Sequence, residues 1–278
     1  MKTFTDRVAV VTGAASGIGR SLAVNLAAKG CHLAISDLNQ EGLKETANLA
    51  GNQGVKITTH LVDVANRDQV YRYADEVVKQ HGKANIVINN AGVALGDSIE
   101  DVSYEDFEWI VNINFWGVVY GTKAFLPYLK KEPEGHIVNI SSINGIVPNP
   151  CNGPYCATKF AVRGFTETLK QELQDTSVGV TVVHPGGIKT DIVRNSRFRK
   201  HVNLNMTQED LVAAYDEKIF KTTADTAART IISAIENNKQ RVLIGGDAKF
   251  LDWLTRLFPV SATQYLTRMT RKLTEETN

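Results

Sequence analysis

Tyr155 and Lys159 are the two residues whose types and spacing point most directly to chemistry. They lie four positions apart in a stretch with helical periodicity, so their side chains are expected on one helix face. A free tyrosine has a pKa of about 10, and a nearby ammonium group favours the phenolate and lowers that pKa. Because acid/base catalysis works best when the pKa lies near the working pH, the pair predicts Tyr155 as a proton donor or acceptor. Taken alone, such a pair is also common on solvated helix faces.

Two further polar residues, Ser142 and Asn114, precede this pair. Ser142 follows a short apolar run, where its hydroxyl could hydrogen-bond a substrate oxygen and stabilise developing charge. Alternatively, it only satisfies backbone groups after a strand. Asn114 lies in a helical stretch where asparagine is unfavourable by propensity, which favours a functional role. Ser141 and Asn112 are the neighbouring alternatives.

A glycine-rich turn, Thr12-Gly13-Ala14-Ala15-Ser16-Gly17-Ile18-Gly19, follows the first apolar run. Gly13 can make a tight turn that a side chain would block, and Gly17 and Gly19 allow the backbone to approach a pyrophosphate at the positive end of the next helix. An ordinary tight turn would also explain these glycines, but the position after the first strand favours a nucleotide site. The turn residues expected to contact the cofactor are Gly13, Ser16, Gly17, Ile18 and Gly19.

Two aspartates end the next predicted strands. Asp37 lies 18 residues after Gly19, where a carboxylate would bond the adenosine ribose hydroxyls and repel a 2′-phosphate. This predicts NAD as the favoured cofactor, with NADP not excluded. Asp63 could accept a hydrogen bond from the adenine amino group, and Val64 beside it is assigned to the same site. Each aspartate could instead cap the helix that follows it.

The elements that must position these residues are read from the apolar periodicity. Seven short runs are apolar nearly throughout, as strands buried on both faces of a parallel sheet are. These predicted strands cover residues 8–11, 33–36, 57–62, 86–89, 136–140, 180–183 and 241–244. Predicted helices between them cover residues 18–29, 40–50, 67–80, 104–131, 155–174 and 224–237. The alternation predicts an α/β fold: one doubly wound, Rossmann-type domain with a seven-stranded parallel sheet flanked by helices.

Together, these motifs resemble the short-chain dehydrogenase/reductase family over roughly the first 245 residues. The matching pieces are Thr12–Gly19, Asn89-Asn90-Ala91-Gly92, Asn114, Ser142, Tyr155-x-x-x-Lys159 and Pro185-Gly186. The resemblance implies hydride transfer at a nicotinamide, with proton exchange through Tyr155, a ribose hydroxyl, Lys159 and a water held near Asn114. It also implies that Lys159 holds the nicotinamide ribose, and it favours Ser142 over Ser141 and Asn114 over Asn112.

The same resemblance assigns two more segments to the cofactor. Asn89 is expected to be structural, whereas the three residues after it are expected to contact the cofactor. Backbone of Ile188 and the hydroxyl of Thr190 would face the nicotinamide amide and the phosphates. A Pro-Gly turn alone would not explain the threonine. The cofactor contacts assigned in this way are Asn90, Ala91, Gly92, Tyr155, Lys159, Pro185, Gly186, Ile188 and Thr190.

Composition excludes several classes of protein. Of 278 residues, 43% are apolar and 22% charged, which indicates a globular chain, and the formal net charge of +1 gives no support to a nucleic-acid partner. The three cysteines have no metal-ligand spacing, so no metal is expected. The first residues lack a signal-peptide layout and no apolar run reaches about 18 residues, so a cytoplasmic location is expected.

The substrate region is expected at the carboxyl ends of the strands. Two predicted walls, residues 93–95 and 145–148, are apolar, which favours a small hydrophobic alcohol or carbonyl substrate. An insertion over residues 188–222 supplies a third wall. It carries Arg194, Arg197, Arg199, Lys200 and His201. These bases could form a rim for an anionic substrate, but a solvated helix face is the favoured interpretation.

The C-terminal part is assigned separately: residues 1–246 form the catalytic domain and residues 247–278 a helical tail. The tail carries an apolar stripe followed by Arg268, Arg271 and Lys272. Packing against the fold is slightly favoured over peripheral membrane contact. A homodimer through helices 104–131 and 155–174, or a homotetramer, is expected by resemblance. The alternative functions are a nucleotide-binding scaffold without turnover and a peripheral membrane dehydrogenase of lipid-like alcohols.

Overall fold

Seven parallel strands form the centre of the protein in the computed structural model, which describes residues 1, 3–51, 54–199, 207–210, 212–213, 220–265 and 267–268. The strands are β1 (Val8–Thr12), β2 (His32–Asp37), β3 (Ile57–Leu61), β4 (Ile86–Asn89), β5 (Gly135–Ile140), β6 (Val178–Pro185) and β7 (Arg241–Ile244). Their order in the sheet is β7-β6-β5-β4-β1-β2-β3, and every neighbouring pair is parallel. The predicted fold class is therefore confirmed.

Helices cover both faces of this sheet. They are α1 (Gly17–Ala27), α2 (Gln40–Gly51), α3 (Arg67–His81), α4 (Tyr104–Val111), α5 (Gly117–Leu129), α6 (Gly153–Glu172), α7 (Ala224–Glu236) and α8 (Gly246–Leu257). The single helix predicted over residues 104–131 is wrong in one respect. A π-helical turn, Asn112–Trp116, separates α4 from α5, with the Gly117 amide bonded to the Asn112 carbonyl five residues earlier.

Alternation along the buried strands sends side chains into two separate cores. Ala9 and Val11 of β1 belong to a cluster on the face covered by α1 and α7, whereas Val8 and Val10 belong to a cluster on the opposite face. Both faces of β1 are buried throughout, which explains why the strand reads as a continuous apolar run.

The sheet order reverses between β1 and β4, which are neighbours although two strands lie between them in sequence. Loops leaving the carboxyl ends of these strands diverge to opposite faces, and this divergence leaves a crevice of the kind that binds ligands in doubly wound folds. The predicted site segments follow β1, β2, β4, β5 and β6 and therefore all lie at this edge.

The insertion over residues 188–222 is described except for residues 200–206, 211 and 214–219. It adds two short parallel pairs to the fold: Ile188–Lys189 with Thr222–Thr223, and Arg197–Phe198 with Leu95–Gly96. The prediction of a solvated helix face is wrong for residues 194–199, because this stretch is a turn followed by the short strand Arg197–Phe198. Lys200 and His201 lie outside the described residues.

The tail helix α8 is anchored on the sheet by Asp252. Its carboxylate is 7% exposed and pairs with Arg241 of β7 at 2.6 Å and with Arg256 at 3.0 Å. Arg271 and Lys272 lie outside the described residues. Among the helices that the structure describes, none is long and apolar enough to cross a membrane.

Candidate active site

The glycine-rich turn after β1 forms one end of the site. Gly13 has φ +65°, and a Cβ there would lie 2.7 Å from the Cα of Ala91. Gly17 has φ +53° and faces Thr190. A Cβ at Gly19 would lie 2.0 Å from the Gly13 carbonyl oxygen, so this glycine is required for packing of α1 against the turn.

A cleft of about 320 Å³ runs from this turn to the start of α6. Fourteen of the predicted cofactor contacts are among the residues that line it. They are Gly13, Ser16, Gly17, Ile18, Asp37, Asn90, Ala91, Gly92, Tyr155, Lys159, Pro185, Gly186, Ile188 and Thr190. Ser142 also lines the cleft, whereas Gly19, Asp63, Val64 and Asn114 lie outside its lining.

Asp37 lies at the adenosine end expected from the sequence. Its Oδ2 accepts a hydrogen bond of 3.0 Å from the Ala15 amide, and its Oδ1 accepts one of 3.0 Å from the Asn39 amide. The capping bond at the start of α2 is made by Asn39, whose Oδ1 accepts from the Gly42 amide at 3.0 Å. Helix capping is therefore not the function of Asp37.

Asp63 and Val64 make contacts away from the cleft. Asp63 Oδ1 accepts from the Ala65 amide at 2.9 Å, which is a local turn contact. Asn66 caps α3 instead, by accepting from the Gln69 amide. Val64 packs where a Cβ at Gly117 would lie, 3.0 Å from Val64 Cγ2. Their assignment to the adenine thus stays a prediction that the cleft lining does not support.

Tyr155 and Lys159 meet at the other end of the cleft, as their spacing predicts. Lys159 Nζ lies over the Tyr155 ring, 5.6 Å from its centroid. Burial raises the pKa of Tyr155 to about 12, against a smaller lowering by a hydrogen bond from Ser142. The expected lowering of this pKa is therefore wrong for the protein alone, because desolvation of the phenolate is the largest effect on it.

Lys159 is itself nearly inaccessible, with 4% of its surface exposed. Burial lowers the pKa of its ammonium to about 8, and Nζ donates a hydrogen bond of 3.0 Å to the Ile140 carbonyl. The side chain ends beside Gly92, where an added Cβ would be 3.5 Å from Nζ. A lysine held in this way presents a proton donor to the cleft.

Asn114 is fully buried in the π-helical turn behind the cleft. Its Oδ1 accepts from the Val93 amide at 2.8 Å, and its Nδ2 donates to the Val93 carbonyl at 2.9 Å and to Thr158 Oγ1 at 3.3 Å. The side chain thus holds the loop after β4 against α6. A water near Asn114 stays a prediction.

The segment after β4 divides as expected between structural and cleft-lining residues. Asn89 is buried and donates to Asn139 Oδ1 at 2.8 Å across the sheet. Asn90 Nδ2 donates to the carbonyls of Thr12 and Gly13 at 2.9 and 3.1 Å. Asn90 therefore fixes the glycine-rich turn to the loop after β4, where both segments line the cleft.

His184 is a residue that the motif search missed. It is fully buried in β6, and its Nδ1 donates a hydrogen bond of 3.0 Å to the Ser142 carbonyl. Burial is the main cause that lowers its pKa to about 4, so the ring is neutral. The sequence feature that could have identified His184 is its position directly before Pro185. His184 is not among the residues that line the cleft, whereas Ile140, which the sequence analysis did not single out, is. The predicted third wall contributes Asp191, Ile192, Asn195 and Phe220 to the lining.

One predicted wall is absent from the cleft lining. A Cβ at Gly145 would lie 2.6 Å from the Lys159 carbonyl, so residues 145–148 pack against α6. Two arginines of the predicted basic rim are paired with Asp106. Its carboxylate accepts a hydrogen bond from Arg197 Nη1 at 2.6 Å and one from Arg199 Nε at 3.2 Å. Arg197 also lies 3.8 Å from the centre of the Trp109 ring. These arginines thus attach the insertion to α4.

The residues present fit a dinucleotide. The turn at the start of α1 brings Gly13 and Gly17 to the cleft, where a helix N-terminus attracts phosphate. A Cβ at Gly13 would meet the opposite wall of the cleft, and Asp37 offers a carboxylate at the adenosine end. Tyr155 and Lys159 line the far end, so the cleft joins the glycine-rich turn to the tyrosine and lysine that the sequence analysis expects to exchange protons.

Comparison with known proteins gives a consistent result. The family model described as short chain dehydrogenase matches residues 7–201. The chain is 43% identical over 259 residues to the putative oxidoreductase SadH of Mycobacterium tuberculosis (strain CDC 1551 / Oshkosh), covering 92% of both chains. It is 33% identical to the probable oxidoreductase EphD of Mycobacterium bovis, of whose length it spans 44%.

Solved structures have the same fold. A short-chain dehydrogenase/reductase from Burkholderia phymatum in complex with NAD is similar with a TM-score of 0.84 and 28% identity, over 92% of this chain and 95% of that one. Levodione reductase is similar with a TM-score of 0.79 and 28% identity, over 88% and 99%.

Proposed function

The chain belongs to the short-chain dehydrogenase/reductase family, and from this premise we propose that it interconverts an apolar alcohol and a ketone or aldehyde with NAD. The observation that carries the proposal is the meeting of Ser142, Tyr155 and Lys159 in the cleft that begins at the glycine-rich turn. Family membership makes the chain an oxidoreductase. The CH–OH substrate, the use of NAD and the role of Tyr155 are the proposed parts.

The proposed chemistry divides between cofactor and chain. NAD supplies a hydride acceptor when bound, or a hydride donor in its reduced form. Tyr155 gives a proton to the carbonyl oxygen in reduction and takes it from the hydroxyl in oxidation. Ser142 donates a hydrogen bond to the same oxygen, where charge develops. Lys159 holds the nicotinamide ribose, and its ammonium opposes the cost of charge on Tyr155.

The cofactor assignment rests on the cleft-lining residues. We assign the turn residues, Asp37, residues 90–92 and the segment from Pro185 to Thr190 to NAD, with the charge of Asp37 disfavouring a 2′-phosphate. Residues 1–246 are proposed as the catalytic domain and residues 247–278 as a tail. We also propose a cytoplasmic location.

Substitution of Tyr155 by Phe tests this function, because Phe keeps the ring and removes the proton. We expect turnover of secondary alcohols to fall by about 10²- to 10⁴-fold while NAD binding is retained. Tyr265→Phe is the matched control, since Tyr265 is exposed on the tail. Unchanged turnover in Tyr155→Phe contradicts the assignment, whereas NAD binding by a wild-type protein that turns over no alcohol supports the scaffold alternative.

The proposed assembly is a homodimer through α5 and α6, with a homotetramer as the alternative. Trp116, at the π-helical turn before α5, and Phe160, on α6, are 41% and 39% exposed, and Trp116 stacks on Tyr120. Large aromatic residues are enriched at protein interfaces. Light scattering of wild type and of Phe160→Ser measures the mass, and a monomeric wild type contradicts the proposal.

A peripheral membrane dehydrogenase of lipid-like alcohols is the second candidate, and the outer face of α8 favours it. Phe250, Trp253 and Leu257 share one face at i, i+3 and i+7 and are 48, 55 and 54% exposed. The expected packing of these three residues against the fold is therefore wrong. An exposed apolar face flanked by Lys249 and Arg256 is typical of a helix that lies on an anionic bilayer.

Co-sedimentation with vesicles of anionic or neutral phospholipid tests this candidate. We expect wild type to bind anionic vesicles, and the variant with Phe250, Trp253 and Leu257 all replaced by Ser to remain in solution. In the control variant, Leu49, Leu61 and Tyr71 are replaced by Ser in the same way. These residues are also exposed but lie outside α8. Equal sedimentation of wild type and the α8 variant removes the candidate.

A further inference from the structure

Asp247, in the first turn of α8, makes a contact that ties the tail helix to the cleft. The chain leaves β7 at Gly245, which has φ +101°, and α8 begins at the next residue. Asp247 Oδ2 then accepts a hydrogen bond of 2.6 Å from the backbone amide of Gly187. Gly187 lies between Gly186 and Ile188, both of which line the cleft.

The two loops leave room for this carboxylate where side chains would otherwise be. A Cβ at Gly186 or at Gly245 would lie 2.2 Å from an Asp247 carboxylate oxygen. Gly246 has nothing within 4 Å of its Cβ position, so the crowding is specific to the carboxylate. Glycines at positions 186 and 245 are thus required by a contact between the loops after β6 and β7.

The peptide groups around Gly187 are held on several sides. The Gly187 carbonyl accepts from the Thr222 amide at 3.3 Å, and the Gly186 amide donates to the Ile244 carbonyl at 2.8 Å. Gly187 has no side chain of its own with which to fix its orientation. The Asp247 carboxylate therefore supplies the charged bond that sets the direction of the Gly187 amide, and charge-assisted bonds are stronger than neutral ones.

We propose that Asp247 is a positioning residue for the cofactor: it orients residues 186–190 so that the Ile188 backbone and Thr190 face the nicotinamide end. The proposal rests on the function proposed above. Asp247 itself is absent from the cleft lining and acts through Gly187. Its loss should weaken cofactor binding without removing a cofactor contact, and it should loosen the segment even before any cofactor is added.

The test compares variants of the full chain. Asp247→Ala removes the carboxylate, whereas Asp247→Asn keeps an oxygen that accepts from the Gly187 amide. Gly186→Ala keeps the carboxylate but fills its space. Gly246→Ala, at the open position, and Asp68→Ala, an exposed first-turn acid of α3 whose carboxylate pairs with Arg67, are the matched controls.

Two measurements distinguish these variants: amide hydrogen exchange and the Kd for NAD. Amide hydrogen exchange of residues 186–190 without cofactor should be faster in Asp247→Ala and Gly186→Ala, and close to wild type in Asp247→Asn and both controls. The Kd for NAD should rise about 10- to 150-fold in the first two variants, the range expected for loss of one hydrogen bond to a charged group. The melting temperature shows whether each variant is folded, and Gly186→Ala provides the test if Asp247→Ala does not fold.

The outcomes separate the two proposals. Unchanged exchange and unchanged NAD affinity in Asp247→Ala overturn the positioning role, as does an equal loss in Asp68→Ala. A wild-type protein that binds no NAD overturns the proposed function and the cofactor part of this inference. Faster exchange confined to residues 186–190 together with weaker NAD binding supports the inference.

Discussion

The Ser141 hydroxyl donates a hydrogen bond of 2.8 Å to the backbone carbonyl of Lys159. This contact joins the end of β5 to the helix that carries the acid/base pair, and it crosses 18 residues of sequence. It also separates two adjacent serines by function. Ser141 is committed to α6, whereas Ser142 hydrogen-bonds the Tyr155 phenol. The position of Tyr155 in the cleft is therefore set through β5 as well as through α6.

The raised pKa of Tyr155 predicts opposite pH profiles for the two reaction directions. A phenol with a pKa of about 12 keeps its proton throughout the neutral range, so carbonyl reduction should be nearly independent of pH there. Alcohol oxidation needs the phenolate, so its rate should increase as pH rises. In Ser142→Ala the oxidation limb should move to higher pH, since the hydrogen bond from Ser142 lowers this pKa. Initial rates in both directions measure this, and an oxidation rate that falls with pH contradicts it.

Asp37→Asn should relax the preference for NAD over NADP. The substitution removes the charge that repels a 2′-phosphate but keeps an oxygen for the Ala15 amide. We expect the ratio of kcat/KM for NADP to that for NAD to rise about tenfold, which corresponds to roughly 1.4 kcal/mol. Glu41→Gln, an exposed acid in the first turn of α2, controls for the loss of charge. A wild type that prefers NADP would overturn the cofactor assignment.

Asp106→Ala should release the segment around Arg197 from α4. The Asp106 side chain is 9% exposed and pairs with two arginines, so its removal leaves both without their carboxylate. We expect faster proteolysis within residues 191–199, a substrate KM increased by several fold and a small change in melting temperature, because the opening is local. Glu105→Gln, the exposed neighbour in α4, is the control. Equal proteolysis of Asp106→Ala and wild type would show that the pairs do not hold the segment.

Buried histidines should make the protein less stable in acid. Burial lowers the pKa of His136 and of His184 to about 4, whereas an unfolded histidine titrates near 6.5. Between these values the unfolded chain binds protons that the native state does not, so the free energy of unfolding decreases as pH falls from about 6.5 to 4, by up to about 1.4 kcal/mol per pH unit for each histidine. Denaturant titrations across this range measure the slope.

Replacement of one buried histidine should reduce the pH dependence of the free energy of unfolding by the contribution of one bound proton. His184→Asn keeps a donor for the Ser142 carbonyl but cannot titrate in this range. A slope that is unaffected by His184→Asn would mean that another group causes the loss of stability.

The sheet and the cleft were predictable because burial leaves a direct pattern in the sequence. Strands covered on both faces are continuous apolar runs, and their carboxyl ends meet at one edge, so motifs distant in sequence converge. Ser142, Tyr155 and Lys159 line the cleft at positions that short motifs already marked. The predicted family and fold class are both confirmed, by the family match and by the parallel sheet. Residue roles at the site stay predictions.

Other features depend on contacts that periodicity does not encode. The two-residue strand Arg197–Phe198 is too short for any period, so its bases were taken for a helix face. Asn39 and Asn66 cap the helices for which Asp37 and Asp63 were the alternative candidates, because several polar residues compete at each helix start. The raised pKa of Tyr155 follows from the three-dimensional burial of its ring, which the spacing of Tyr155 and Lys159 does not reveal.

Trp109 gives the protein an optical reporter of its own insertion. The centre of its indole ring lies 3.8 Å from the guanidinium of Arg197, and Arg197 belongs to the segment that borders the cleft. The other two tryptophans, Trp116 and Trp253, are already 41% and 55% exposed to solvent. A ligand that moves this segment would separate the Arg197 guanidinium from the Trp109 ring and change the polarity around that indole. Emission from Trp109 can therefore follow occupancy of the cleft without an added dye.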